Sequence, residues 1–497
     1  MKRTILLGLA SAVALLPAAA RADVTVYTKD NAPPTPKLED LPLKASINQY
    51  GITWTFAKPA RVGRFVNGDW YVVGPTTVTK IDPASANGRN GSMLNIAIVP
   101  ERSESDVGFD DRVPHGRYDA NLFQAPPFAM KPGDALVSSI SFEKVESIRP
   151  MLPRSRSHVS KQHSPIRTAA VLTCVAEPLP ADAFRPAYCD RKQTIHLART
   201  LRREKLPKLK RVEPMPKLAE IERVYQRPWL DVCMDEFGAP ADNMPVYGNE
   251  FTRAVGIATL LLATDLTPAE KETLLIRVCQ VGIDVVGLLE AGKPGWPALG
   301  GHGNGRKWTI IFTGILLDQP KMQRPSRTFP KAVFSEDLQT MFDDCWTGAK
   351  VVYAGHVGPK GHPRHEGWGR YEHLHPSKWV SNIGESYRRC CTSMCWIGEA
   401  LAIQLYGAER LWDHDSLLVY ADRWMYEDDT EFIKVVKQAG RGDYDNDWSR
   451  QGMVWDPFVK NMWSTYRPKI DAPVDRWKHP RGGKQGPMPG PTKENTR

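Results

Sequence analysis

Two rhythms of apolar residues divide this chain. Between residues 46 and 190 they come as short runs such as INQYGITWTF, RVGRFVNGDWYVVG, TTVTKIDP, SMLNIAIVP, ALVSSISF and TAAVLTCVAEP. These runs are rich in β-branched and aromatic residues and are separated by Gly, Asn, Asp and Pro, which predicts strands. Asn67-Gly68-Asp69 fits a hairpin turn between two of them. Strands at this spacing predict an antiparallel β-sandwich-like domain. From Met244 the period lengthens to that of helices: YGNEFTRAVGIATLLLATDL, EKETLLIRVCQVGIDVVGLLEAG, GRKWTIIFTGILLDQ, SEDLQTMFDDCWTGAK, the stretch from Ser386 to Trp412, and HDSLLVYADRWMYED. Thr267-Pro268-Ala269-Glu270 reads as a capping box with Pro at the first helical position. Long helices in succession, joined by loops rich in Gly, Trp and His, predict an α/α toroid, complete or incomplete, over residues 231–467.

The remaining segments frame these two halves. A basic tip at Lys2 and Arg3, an apolar run from Ile5 to Leu16 and the small-residue end Ala20-Arg21-Ala22 predict a secretory signal peptide over residues 1–22. The apolar run is too short to span a bilayer, so no stable membrane insertion is expected. The mature chain is expected in the periplasm or secreted, after cleavage near Ala22. Residues 23–45 read as an extended lead-in. Residues 191–211 carry nine Lys or Arg against the single acid Glu204, and residues 191–230 read as a basic linker or crossing arm. The Pro-, Gly- and Lys-rich tail, 468–497, is expected to be disordered.

Composition narrows the partners. At 41% hydrophobic and 25% charged residues the chain is that of an ordinary globular protein. Its net charge of +10 falls to +7 without Lys2, Arg3 and Arg21. That excess favours an anionic partner such as an acidic polysaccharide; with no nucleic-acid motif and an exported fate, nucleic acid is not expected. Cys174 and Cys189 are candidates for pairing in an oxidising compartment. Cys390, Cys391 and Cys395 cluster without the spacing of a zinc ribbon, and the thiols read as structural or buried. The pattern leaves the oligomeric state open.

Four segments carry candidate chemistry. Gly295-Trp296-Pro297 leads into Gly300-Gly301-His302-Gly303-Asn304-Gly305-Arg306-Lys307-Trp308, where glycines let the backbone approach a ligand closely. The spacing is not that of a P-loop. Residues 353–376 hold His356, His362, His365, His373 and His375 with Tyr371. A transition-metal site there is one reading. With no HExxH pair, a substrate-binding lid is favoured, and neither metal nor cofactor is assigned. Third, Glu385-Ser386-Tyr387-Arg388-Arg389 places a phenol beside a guanidinium, whose charge would lower the phenol's pKa. Fourth, Tyr247 and Glu250 open the first long helix.

Cleavage of a glycosidic bond beside a uronic acid by β-elimination needs the carboxylate neutralised, a base for the C5 proton and an acid for the leaving oxygen. Tyr387, His302 and Arg388 are the catalytic candidates. Asn304, Arg306, Lys307, Trp296, Tyr247, Glu250, His356, Tyr371, His373 and Arg389 are the substrate-binding ones. With GGHGNGRKW and ESYRRCCTS as its carriers, the chain resembles the α/α-toroid polysaccharide lyases, exported enzymes that join a toroid to a β-sandwich. In many of those the sandwich follows the toroid, whereas here the β-rich half comes first. The resemblance implies a lyase acting on a uronate glycan. A hydrolase using two carboxylates, from Glu250, Glu366, Glu372, Glu385 and Asp413, is the alternative enzyme. A non-catalytic glycan-binding protein is the alternative outside enzymes.

Overall fold

A computed structural model describes residues 24–100, 104–113, 116–147, 152, 163–232, 239–245, 247–298, 300–355, 370–444, 454 and 456–479. The expected signal peptide, His356 and the end of the tail lie outside these residues. The architecture is mixed α/β, with a curled, mostly antiparallel sheet in the N-terminal half and helices in the C-terminal half.

Eight strands make the sheet: β1 (Leu43–Gln49), β2 (Ile52–Arg64), β3 (Trp70–Val73), β4 (Thr76–Asp82), β5 (Ser92–Leu94), β6 (Phe128–Met130), β7 (Ala135–Ser147) and β8 (His163–Val175). Their order is β5-β7-β8-β3-β2-β4-β6, with β1 also on β2. The long β2 pairs with β1 from Ile52 to Arg61, across an irregularity, with β4 through its first half and with β3 at its end, which lets the sheet curl around it. The hairpin expected at Asn67-Gly68-Asp69 is present, and Gly68 takes φ 92° there, a left-handed conformation that costs glycine little. β3 and β8 run parallel, the exception in an otherwise antiparallel set.

Alternation along β7 and β8 explains how the sheet meets the helices. Leu136, Ala170, Leu172 and Cys174 point into the curl with Trp54, Phe56, Val72 and Val78. Their neighbours Val137, Ala169 and Val171 point the other way, into a core shared with the helical half. Successive side chains on a strand face opposite sides, so these two strands are buried on both. The same alternation separates Cys174 from Cys189. They belong to different apolar clusters, and both are free thiols, not the pair that the sequence offered.

The main helices are α1 (Leu218–Val224), α2 (Gly248–Leu262), α3 (Pro268–Glu290) and α4 (Arg306–Leu316). Short helices follow: α5 (Pro320–Gln323), α6 (Pro325–Thr328), α7 (Ser335–Gln339) and α8 (Ile383–Tyr387). The last group is α9 (Trp396–Leu405), α10 (Glu409–Trp412), α11 (Asp415–Tyr426), α12 (Thr430–Gln438) and α13 (Pro457–Tyr466). The capping box at Thr267 and Glu270 forms as expected. One expectation fails. The helix read over SEDLQTMFDDCWTGAK stops after Gln339, and Thr340–Phe342 instead pairs antiparallel with Val351–Tyr353. β-favouring Thr340, Met341 and Phe342 take over once the Gln339 amide is drawn to the Gly300 carbonyl, 2.8 Å away. Of the tail segment, residues 468–479 are described: Arg476 joins Arg467 on Asp422, and the Trp477 carbonyl accepts from the Lys350 N–H.

The basic arm is fastened at several points. Arg199 binds Asp182, Arg203 binds Glu272, and the Arg202 N–H donates to the Leu316 carbonyl. Just before the arm, fully buried Arg185 bridges Asp69 of the β2–β3 turn (2.7 Å) and Asp284 of α3 (2.6 Å).

Candidate functional site

The N-terminal end of α2, the Gly-rich segment and the turn after α8 converge through backbone contacts that only glycine permits. A Cβ on Gly248 would lie 1.9 Å from the Gly301 carbonyl oxygen, and one on Gly301 would lie 2.0 Å from that of Cys391. The Gly301 N–H donates to the Tyr247 hydroxyl at 3.1 Å. The rings of Tyr247 and His302 meet edge to face, with centroids 4.6 Å apart. Tyr247 and Cys391 also share a small apolar cluster with Ala241, Tyr387 and Cys390. Tyr247 therefore meets the His302 ring and shares an apolar cluster with Tyr387, which brings together segments the sequence separates widely. Tyr247 is buried, whereas His302 and Tyr387 are half-buried. Burial pushes the Tyr247 phenol well above its usual range, and that of Tyr353 likewise. Both keep their protons and serve as hydrogen-bonding groups.

Cys390 and Cys391 form a disulfide between adjacent residues, which the sequence reading did not foresee. It lies in a wide π turn, Arg388–Thr392, between α8 and the 3₁₀ turn that leads into α9. Such turns occur often at functional sites.

The other candidates from sequence are placed as scaffold. Arg388 is fully buried and bound to Glu372 (2.5 Å) and Glu385 (2.8 Å). Arg389 binds Glu385 and Asp429, Arg423 binds Glu372 and Glu427, and the Tyr371 hydroxyl donates to Glu385 at 2.7 Å. The network is closed within the protein. The guanidinium charges outweigh burial at Glu385 and hold its carboxyl below the usual value. Arg306 chelates Asp231 and donates to the carbonyls of His302 and Asn304, so it shapes the Gly-rich loop from beneath. Lys307 binds Asp337 at 2.7 Å. Trp296 is buried against Phe334, Glu250 is paired with Arg253, and the Asn304 side chain is fully buried. His373 is exposed; partial desolvation and nearby Arg370 hold it below the ordinary imidazole value. Among the described residues no group of three or more His, Cys, Asp or Glu is placed to hold a metal.

Sequence reasoning passed over an acid pair inside the helical half. Glu336 and Glu399 are both fully buried, and neither Glu399 oxygen has a hydrogen-bond partner among the described residues. Glu336 accepts from the Gly305 N–H. A signal was present: Glu399 is the one charged residue in the helix WIGEALAIQL. Burial pushes Glu336 up to about 7, and burial together with the charge of Glu336 pushes Glu399 well above its usual range. At this pair the folded chain therefore holds more protons than the unfolded one from the ordinary glutamate value of 4.5 up to about 7, and the pair's contribution to stability falls as pH rises across that window. Glu399→Gln keeps the shape and removes the titration. In urea unfolding at pH 5 and pH 7.5, the difference between the two stabilities is expected to shrink by about 1–3 kcal/mol. An unchanged difference would exclude the pair as its source.

Set against known protein-family models, curated proteins and solved structures, the chain matches none of them. The functional reading rests on the residues alone.

Proposed function

We propose that this chain is an exported polysaccharide lyase that cleaves a uronic-acid-containing glycan by β-elimination. Its helical half is read as an α/α toroid and its sheet as the accompanying sandwich-like unit. The observation that carries the reading is that Tyr247 meets the His302 ring and belongs to the apolar cluster against which Tyr387 packs. Two half-buried proton-transfer groups stand there on a fully buried scaffold. In this reading the neutral His302 imidazole takes the C5 proton and the electron pair forms the C4–C5 double bond. The C4–O bond breaks, and the Tyr387 hydroxyl gives its proton to the leaving oxygen. Solvent then returns a proton from the imidazolium to the phenolate.

Exposed His373, named from sequence as substrate-binding, would meet the substrate carboxylate as a neutral hydrogen-bond donor, since desolvation and Arg370 disfavour its charged form. Arg388 is better cast as a holder of Tyr387 than as a ligand for substrate, because both of its ion pairs lie inside the protein.

The hydrolase alternative has less support. Glu250, Glu372, Glu385 and Asp413 are engaged with Arg253, Arg388 and Arg327, and Glu336 and Glu399 are sealed from substrate. The test is a screen of acidic polysaccharides with the mature protein. Near-ultraviolet absorbance from an unsaturated product end is expected. New reducing ends without that band would favour hydrolysis, and tight binding with neither would favour a glycan-binding protein.

A further inference from the structure

We propose that the Cys390–Cys391 disulfide is a redox latch that positions the Tyr247–His302–Tyr387 cluster, so that the site is completed only on the oxidising side of export. For turnover this rests on the lyase reading; for structure it does not.

The geometry isolates the disulfide as the moving part. On one side the turn is anchored, since Arg388 and Arg389 are pinned by Glu372, Glu385 and Asp429. On the other side the Cys391 carbonyl lies directly against Gly301, whose N–H is held by the Tyr247 hydroxyl. Between these contacts the bonded sulfurs close a small ring that includes the intervening peptide. That ring dictates where the Cys391 carbonyl points. Tyr387, at the end of α8, enters the same turn. A change in the 390–391 peptide is thus passed to Gly301 and His302 through backbone and to Tyr387 through the turn.

Among the described residues the disulfide is also the reducible group. Cys390 is half-buried and packs beside Tyr387. The free thiols Cys174, Cys189, Cys279, Cys345 and Cys395 are all buried. Burial pushes each of them up, away from the reactive thiolate form. A dithiol supplies the electrons. Its thiolate attacks one protein sulfur, the S–S bond breaks and the other sulfur leaves. The second thiol of the reagent then closes its own disulfide, so two electrons and two protons pass to Cys390 and Cys391. The freed thiols no longer constrain the peptide between them, and the wide turn can relax toward regular helix. Disulfides persist in exported proteins and are kept reduced in the cytosol, so the latch would leave the chain slack before export and set afterwards.

The experiment uses the full mature chain, oxidised or treated with dithiothreitol without denaturant. Both samples are alkylated with iodoacetamide and mapped by mass spectrometry. Alkylation of Cys390 and Cys391 in the treated sample alone is expected, with Cys233 scored in both because it lies outside the described residues. Hydrogen exchange of the peptide covering residues 300–303 should rise about tenfold on reduction and recover on reoxidation. The double variant C390S/C391S should exchange like the reduced protein while still unfolding cooperatively. Free thiols at 390 and 391 in the untreated protein, or exchange at 300–303 that reduction leaves unchanged, would overturn the latch. If a polymer passes the absorbance screen, reduction should lower kcat with KM nearly unchanged, and an unaltered kcat would also count against it. If no polymer passes, the lyase reading fails, and the exchange result still decides the latch.

Discussion

Tyr387→Phe is expected to lower turnover by about 10²–10⁴-fold while KM and the melting temperature stay close to those of the parent. The substitution deletes one hydroxyl from a half-buried ring and leaves its apolar contacts with Tyr247 and the disulfide in place. If that hydroxyl delivers the proton to the leaving oxygen, its loss acts on the reaction barrier alone. Turnover within about threefold of the parent would remove Tyr387 from the mechanism. His302→Ala is the natural companion, but it also removes an edge-to-face contact with Tyr247. The phenylalanine variant isolates chemistry more cleanly.

Arg388→Ala should act on the fold, at a cost of about 3–5 kcal/mol. Arg388 is the shared cation for Glu372 and Glu385, and all three side chains are fully buried. Arg423 still faces Glu372 and Arg389 still faces Glu385, so the acids would not be wholly abandoned. They would nonetheless be short of one positive charge in a fully buried site. Against a total stability of about 5–15 kcal/mol for a typical domain, the loss is large. Chemical denaturation followed by tryptophan fluorescence measures it. A normal unfolding midpoint with abolished turnover would restore Arg388 to the catalytic role that its position beside Tyr387 suggests in the sequence.

The contrast between these two neighbours shows what the sequence discloses and what it withholds. Periodicity found most of the strands, the hairpin at Asn67-Gly68-Asp69 and the capped helix after Thr267, because each depends on local patterns. Residue types marked the glycines around His302 and the Tyr-Arg pair at Tyr387 as special, although the segment from Ser386 reads as continuous helix and the wide turn at Arg388–Thr392 was not visible. What it could not show is whether a charged side chain faces water or another charge. Arg306, Lys307, Arg388 and Arg389 stand beside the candidate groups in the sequence, yet each is neutralised by a distant acid: Asp231, Asp337, Glu372 or Asp429. Pairings across such separations leave no local trace. Thr340–Phe342 was misread for a related reason. Its partner strand and the pull of Gly300 on Gln339 are tertiary, whereas the run from Ser335 looks helical by itself.

Arg185 carries a consequence for how the molecule is put together. Each half contributes one aspartate, Asp69 or Asp284, to a single guanidinium lodged between them. Arg185 and Asp69 already pair within the β-rich half, so the helical half made alone would be the one left with an unpaired acid, Asp284, at that seam. Strong repulsion between two orphaned acids would meet any attempt to dock the pieces without Arg185. Correct joining of the halves thereby sets one arginine against an acid from each, and a chain with that arginine misplaced would have to bury Asp284 uncompensated or protonated.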